Sequence, residues 1–132
     1  MADFTTGSDT VNNPENWFTG SNNVPSYSYT AGTDVLTFDL SPLLSSIGVG
    51  DNDLLATTGD VRSVYLTVAE ALFAAYDATD DASATTSNRL KMTRSRAVDS
   101  TNNIRYSTYT IHIQEDGTGT AESFSSTGVR AE

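Results

Sequence analysis

Residues 59–77, Gly-Asp-Val-Arg-Ser-Val-Tyr-Leu-Thr-Val-Ala-Glu-Ala-Leu-Phe-Ala-Ala-Tyr-Asp, are the one stretch long and apolar enough to anchor a core. The rest of the chain has to be arranged around it. Val61, Val64, Tyr65, Val68, Leu72, Ala75 and Tyr76 share one stripe at i, i+3, i+4, i+7 spacing, which predicts an amphipathic helix. Thr57-Thr58-Gly59-Asp60 marks its start: a threonine hydroxyl can accept a free N-terminal amide hydrogen bond, and Asp60 faces the positive end of the helix dipole. Asp77, Asp80 and Asp81 are unfavourable at the negative end, so the helix is expected to stop between Asp77 and Thr79.

The apolar arc is wider than one sheet covers. Leu66 and Phe73, with Ala69 beside them, form a second stripe, and Ser63, Thr67, Glu70, Ala74 and Asp77 remain as the face expected to stay in water. Burying Leu66 and Phe73 is worth roughly 1.5–3 kcal/mol each, so a cover is expected, either the chain's own N-terminal arm folded back or another subunit.

Residues 1–33 read as an extended arm. Asn12-Asn13-Pro14-Glu15-Asn16 and Gly20-Ser21-Asn22-Asn23-Val24-Pro25 are turn chemistry, yet Trp17, Phe18, Tyr27 and Tyr29 are embedded there, and a merely disordered arm seldom carries such aromatics. Trp17 and Phe18 are expected to dock in an apolar groove beside Leu66 and Phe73, or to complete the core within the monomer. Residues 33–40 alternate Leu36, Phe38 and Leu40 against Thr37 and Asp39, which predicts a half-buried strand ended by Ser41-Pro42. Leu43 to Ile47 suggests a short helical turn, followed by a loop over 48–53.

Beyond the helix, residues 79–88 are a polar connector of small side chains. Leu90 and Met92 then alternate with Arg89, Lys91, Arg94 and Arg96, and a second alternating run spans Ile104 to Ile113 after the turn residues Asp99-Ser100-Thr101-Asn102-Asn103. That pairing predicts a β-hairpin. The apolar phase is even at Ile104 and Tyr106 but odd at Tyr109, Ile111 and Ile113, and a bulge near Ser107-Thr108 would reconcile them. Residues 115–132 form a polar tail whose anchors, if it adds as a strand to another subunit, are Phe124 and Val129.

The expected fold is therefore α+β: a β-α-β-β unit over 34–114, with one long helix packed on a small, mainly antiparallel sheet, flanked by the arm and the tail. A helix of about 20 residues is roughly 30 Å long. A ten-residue strand spans about 33 Å, so the two match. Only about 80 residues are rich enough in apolar groups to pack, and domains of that size bury a modest fraction of their surface.

Charge narrows the partners. The chain carries seven basic and 17 acidic residues, a net of −10. Five of the basic ones, Arg89, Lys91, Arg94, Arg96 and Arg105, sit with one acid in residues 89–105, a local +4 that leaves −14 elsewhere. Overall acidity speaks against binding nucleic acid through phosphate neutralisation. The basic strip suits an acidic surface, including that of a neighbouring copy, or is a solvated strand face. Without cysteine there is neither a disulfide framework nor a thiolate metal site. No signal peptide or membrane span is expected, because the first residues lack a basic and an apolar region and the helix is interrupted by Arg62, Thr67 and Glu70.

Chemistry-bearing motifs are missing. Asp51-Asn52-Asp53 begins like a calcium loop, but Leu54-Leu55 follow where further oxygen ligands are needed. His112, the single histidine, has no partner in a nucleophile motif, no phosphate-binding glycine loop occurs, and nothing selects a catalytic pair from the 17 acids. No enzyme activity and no cofactor are expected.

A short cysteine-free chain with a Ser/Thr/Asn/Gly-rich arm, one compact unit from Thr58-Gly59-Asp60-Val61-Arg62 through Tyr106-Ser107-Thr108-Tyr109-Thr110, and a polar tail resembles small virion structural proteins of tailed bacteriophages, particularly decoration or cement proteins of the head. The resemblance is one of layout and composition. It implies that arm and tail lace neighbouring subunits together, that the partners are a major capsid protein, other virion proteins or further copies in a homo-oligomer, and that the protein is made in the host cytoplasm and resides in the virion. Residues expected at such contacts are Trp17, Phe18, Leu66, Phe73, Arg89, Lys91, Arg94, Arg96 and Phe124. The alternative is a receptor- or glycan-binding module of a tail fibre, with Trp17, Tyr27, Tyr29 and Tyr106 as stacking platforms.

Overall fold

The computed structural model describes residues 13–79 and 90–113. They form a mixed structure of one long helix and two small antiparallel sheets. In chain order the elements are a one-turn helix α1 (Pro14–Trp17), strands β1 (Ser26–Thr30) and β2 (Val35–Asp39), a one-turn helix α2 (Leu44–Ile47), a 3-10 turn (Asp51–Leu54), the long helix α3 (Val61–Thr79), and strands β3 (Leu90–Asp99) and β4 (Ile104–Ile113).

Helix α3 has the limits its sequence predicts, and Asp60 starts it more directly than expected. The Asp60 carboxylate, rather than a threonine hydroxyl, accepts the Arg62 backbone N–H at 2.8 Å, and the Arg62 side chain returns to the same carboxylate at 2.6 Å. Just before it the backbone folds back on itself, with Gly59 N–H donating to Leu55 O and Asp60 N–H to Asp53 O. A side chain at Gly59 would meet those carbonyls, so glycine is required there by close approach.

The strand at 35–39 pairs with β1 and not with the later hairpin, which corrects the expected single sheet. Residues 26–30, read above as part of an extended arm, supply that partner. The turn between them places Gly32 and Asp34 at positive φ, and the Tyr29 hydroxyl donates to Asp34 at 2.8 Å, tying the loop to the strand. Tyr27 and Phe38 lie opposite each other in the ladder and stack with Phe18 on one face of this hairpin, with ring centroids 5.0–6.0 Å apart.

The hairpin β3-β4 pairs ten residues with ten in one unbroken register, from Leu90 opposite Ile113 to Asp99 opposite Ile104. No bulge interrupts it at Ser107-Thr108. The change of apolar phase in β4 is instead real, placing Ile104 and Tyr106 on one face and Tyr109, Ile111 and Ile113 on the other. The turn is held by Asp99, whose carboxylate accepts the backbone N–H groups of Thr101 and Asn102 and the Asn102 side-chain amide, while Asn103 takes the left-handed conformation.

The core lies where the arm crosses the C-terminal half of α3. Trp17, Val24 and Ala75 are buried together, with Phe18, Ala74, Tyr76 and Leu90 around them, and the Trp17 ring sits 6.2 Å from that of Tyr76. Trp17 therefore completes the core of its own chain, as one of the two sequence readings allowed, but beside Ala75 and Tyr76 instead of Leu66 and Phe73.

Candidate functional site

The face that α3 turns toward the β3-β4 hairpin is the one expected to stay wet. Thr67 and Glu70 are buried, Glu70 to 3 % exposure, whereas Val61 and Tyr65 of the apolar stripe are 65 % and 75 % exposed and Val64 and Val68 are also open. At 100° per residue those four side chains lie on the side of the helix opposite Glu70. The rotation has a definable cause. Arg94 and Arg96, two residues apart on β3, project from the same strand face and both reach the Glu70 carboxylate, Arg94 through two hydrogen bonds of 2.9 and 3.0 Å. Glu70 is the only acid between Asp60 and Asp77, so within that span it alone can meet the two arginines, and breaking the cluster would leave buried charge without a partner, which holds this face inward.

Around this clamp the junction is mixed. The Arg94 guanidinium stacks over the Phe73 ring at 4.4 Å, so among the described residues Phe73 of the second apolar stripe is met by the hairpin of the same chain, while Leu66 stays half-buried. Tyr109, directly opposite Arg94 in the ladder, comes in from β4. Burial pushes its phenol above the ordinary tyrosine value; Arg96, Glu70 and Ser107 lie near, yet none completes a hydrogen bond to its hydroxyl.

A groove of about 800 Å³ opens between α3 and the outer edge of β4. One wall is Val61, Tyr65, Leu66 and Ala69 of the helix, and the other is Arg105, Tyr106, Ser107 and Tyr109 of the strand. Beyond it further apolar side chains of β4 are exposed, Ile104 on the hairpin face it shares with Tyr106 and Ile111 and Ile113 on the other face. The described part of the arm meets the stripe at its C-terminal end, at Ala75 and Tyr76, while Val61, Val64, Tyr65 and Val68 are exposed among the described residues.

The residues expected at contacts therefore separate into groups. Trp17 and Phe18 are inside the core, Leu66 is half-buried at the groove, and Phe73, Arg94 and Arg96 make the internal clamp. Lys91 is exposed on the hairpin's outer face opposite His112. Arg89 and Phe124 lie outside the described residues. With Trp17 buried, it is not a platform for a sugar ring, and Tyr29 and Tyr106 stand on different hairpins. The residues missed by sequence reasoning are Glu70 and Tyr109 at the clamp and Val61, Val64, Tyr65 and Val68 as open surface. The usable signal was the spacing of Arg94 and Arg96 on one strand face against a lone mid-helix acid.

Among the described residues no cluster of three or more His, Asp or Glu is arranged to hold a metal ion. Asp53 of the calcium-like run is engaged in accepting the Gly50 N–H at 3.0 Å. No described helix is long and apolar enough to cross a membrane. No protein-family model, curated protein or solved structure matches the chain.

Proposed function

We propose that the protein is a non-enzymatic structural protein of a virion, a head decoration, cement or knob protein that stabilises a capsid by contact with capsid protein and with further copies of itself. The long helix α3 with the β3-β4 hairpin is its working part, and arm and tail extend the contacts. One observation carries the reading: the apolar stripe of the long helix α3 is exposed among the described residues while its polar side is pinned inward by Glu70, Arg94 and Arg96. Contiguous exposed apolar surface on a chain this small marks an interaction site. A protein that docks on a capsid lattice needs such surface.

The test is sedimentation of the purified chain with phage heads assembled from the major capsid protein of the same genome, comparing the natural sequence with Tyr65→Asp/Val68→Asp. The natural chain is expected to cosediment at a fixed stoichiometry and the double variant to remain in the supernatant while keeping its helix content. A natural chain that stays in the supernatant overturns the virion assignment.

A further inference from the structure

Both sheets in the described structure have only two strands, so β4 has one side bonded to β3 and, among the described residues, no strand on its other side. Resting on the reading of the chain as an assembly protein, we propose that this open edge is a seam between two copies. The β4 strand of one copy pairs antiparallel with β4 of a second copy about a two-fold axis, joining two hairpins into one four-stranded sheet in the order β3-β4-β4-β3.

The composition of the two strands distinguishes their edges. Solvent-facing edges are ordinarily protected by charge, proline, bulges or shortness. β3 carries Lys91, Arg94 and Arg96, whereas β4, Ile-Arg-Tyr-Ser-Thr-Tyr-Thr-Ile-His-Ile, has no acid, lysine, proline or glycine, is ten residues long and has no bulge. It lacks each of these protections except Arg105 near one end.

The same residues select a second copy as the occupant. An antiparallel two-fold through Thr108 sets Thr108 against itself, Ser107 against Tyr109 and Tyr106 against Thr110, and cross-strand pairs of hydroxyl and aromatic side chains are favourable. The two Arg105 side chains then lie toward opposite ends of the seam, about 20 Å apart at 3.3 Å per residue. That is well beyond the screening length of about 8–10 Å, so like-charge repulsion does not oppose the contact. A two-fold through the middle of β3 would instead bring Arg94 of one copy against Arg96 of the other, and both arginines are already committed to Glu70. The acidity of the chain is no obstacle at this place either, because the carboxylate nearest the groove, Asp60, is paired with Arg62.

The groove supplies what a bare edge would not. A strand added beside β4 lies between that edge and the wall formed by Val61, Tyr65, Leu66 and Ala69, so the backbone pairing and the burial of helix surface occur together. The exposed parts of Val61, Tyr65, Ile104, Tyr106, Ile111 and Ile113 amount to on the order of 600 Å² per copy over the helix and both hairpin faces, an upper bound on the side-chain area the seam covers, against the roughly 800 Å² that each partner contributes to a stable interface.

Because the chain has no cysteine, single replacements report on neighbours without background. Tyr106→Cys, Thr108→Cys and Thr110→Cys all stand on the exposed outer face of β4, and Ser95→Cys on β3 and Val64→Cys on the helix serve as controls. Light scattering on the unmodified chain is expected to give twice the 14.1 kDa chain mass or an even multiple of it. Mild oxidation is expected to link at least one β4 variant into disulfide dimers, with yield falling on either side of that position, and to leave Ser95→Cys unlinked. Circular dichroism of each variant confirms that the fold is retained. A mass equal to one chain at every concentration overturns the proposal; if that monomer still binds phage heads, the structural assignment stands without it. An oligomer that links through Val64→Cys and through none of the β4 positions likewise overturns the seam while leaving assembly intact.

Discussion

Glu70 is the residue on which the arrangement of the helix depends. Its side chain is 4 % exposed and the two arginines that meet it are 32 % and 31 % exposed, so the cluster is partly screened by water. Replacing Glu70 with Gln leaves two guanidinium groups sharing one neutral partner, and the expected loss is about 2 kcal/mol, below the 3–5 kcal/mol of a fully buried pair because of that screening. Urea denaturation of Glu70→Gln, read against Arg94→Met and the double variant, checks it, since a coupling energy near zero would mean that the three charges act independently. Gly59 is the second sensitive residue. A Cβ there would lie 2.6 Å from the Leu55 carbonyl oxygen and 2.8 Å from the Asp53 carbonyl carbon, both backbone atoms that do not move aside cheaply. Gly59→Ala is expected to cost about 1–3 kcal/mol, measured as a lowered denaturation midpoint with unchanged slope.

At the scale of elements, α3 carries a titratable start. Hydrogen bonds from the Arg62 side chain, then from its backbone, hold the Asp60 carboxyl down from 3.8 to about 2. A carboxylate depressed in the folded state stabilises it above its unfolded value, and the contribution fades as pH falls from about 4 toward 2. Helix signal in circular dichroism is therefore expected to be level from neutral pH down to about 5 and to decline below 4, with Asp60→Asn removing that part of the decline. The existence and limits of α3 were legible because a long 3.6-residue period and an acidic C-terminal end are local properties of the chain. The β3-β4 hairpin was legible for the same reason, two alternating runs around Asp99 to Asn103. β1 was not, since Ser26–Thr30 has two tyrosines among hydroxyl residues and becomes a strand through Phe38, Phe18 and the turn at Gly32 and Asp34. The inward face of α3 was misread because hydrophobic periodicity assigns faces by side-chain polarity alone, whereas Arg94 and Arg96, 24 and 26 residues further along the chain, decide it by charge.

At the scale of the whole molecule, the two small hairpins and the long helix of the described residues expose much apolar surface, so a lone subunit is expected to be only marginally stable. If assembly supplies the difference, the thermal midpoint should rise with protein concentration, as mass action requires, and Tyr65→Asp should remove that dependence with little change in the dilute limit. The orientation of α3 then acquires a different meaning. A helix free to roll would satisfy itself by burying Val61, Val64, Tyr65 and Val68 against its own hairpin, and the triple replacement Glu70→Leu, Arg94→Met, Arg96→Met should permit that roll. Such a variant is expected to unfold later, to bind less of a hydrophobic dye, and to lose the ability to associate. On the proposed assembly role the ionic clamp is a brake on self-sufficiency: selecting this chain for solitary stability would select against the surface proposed for contact with its neighbours.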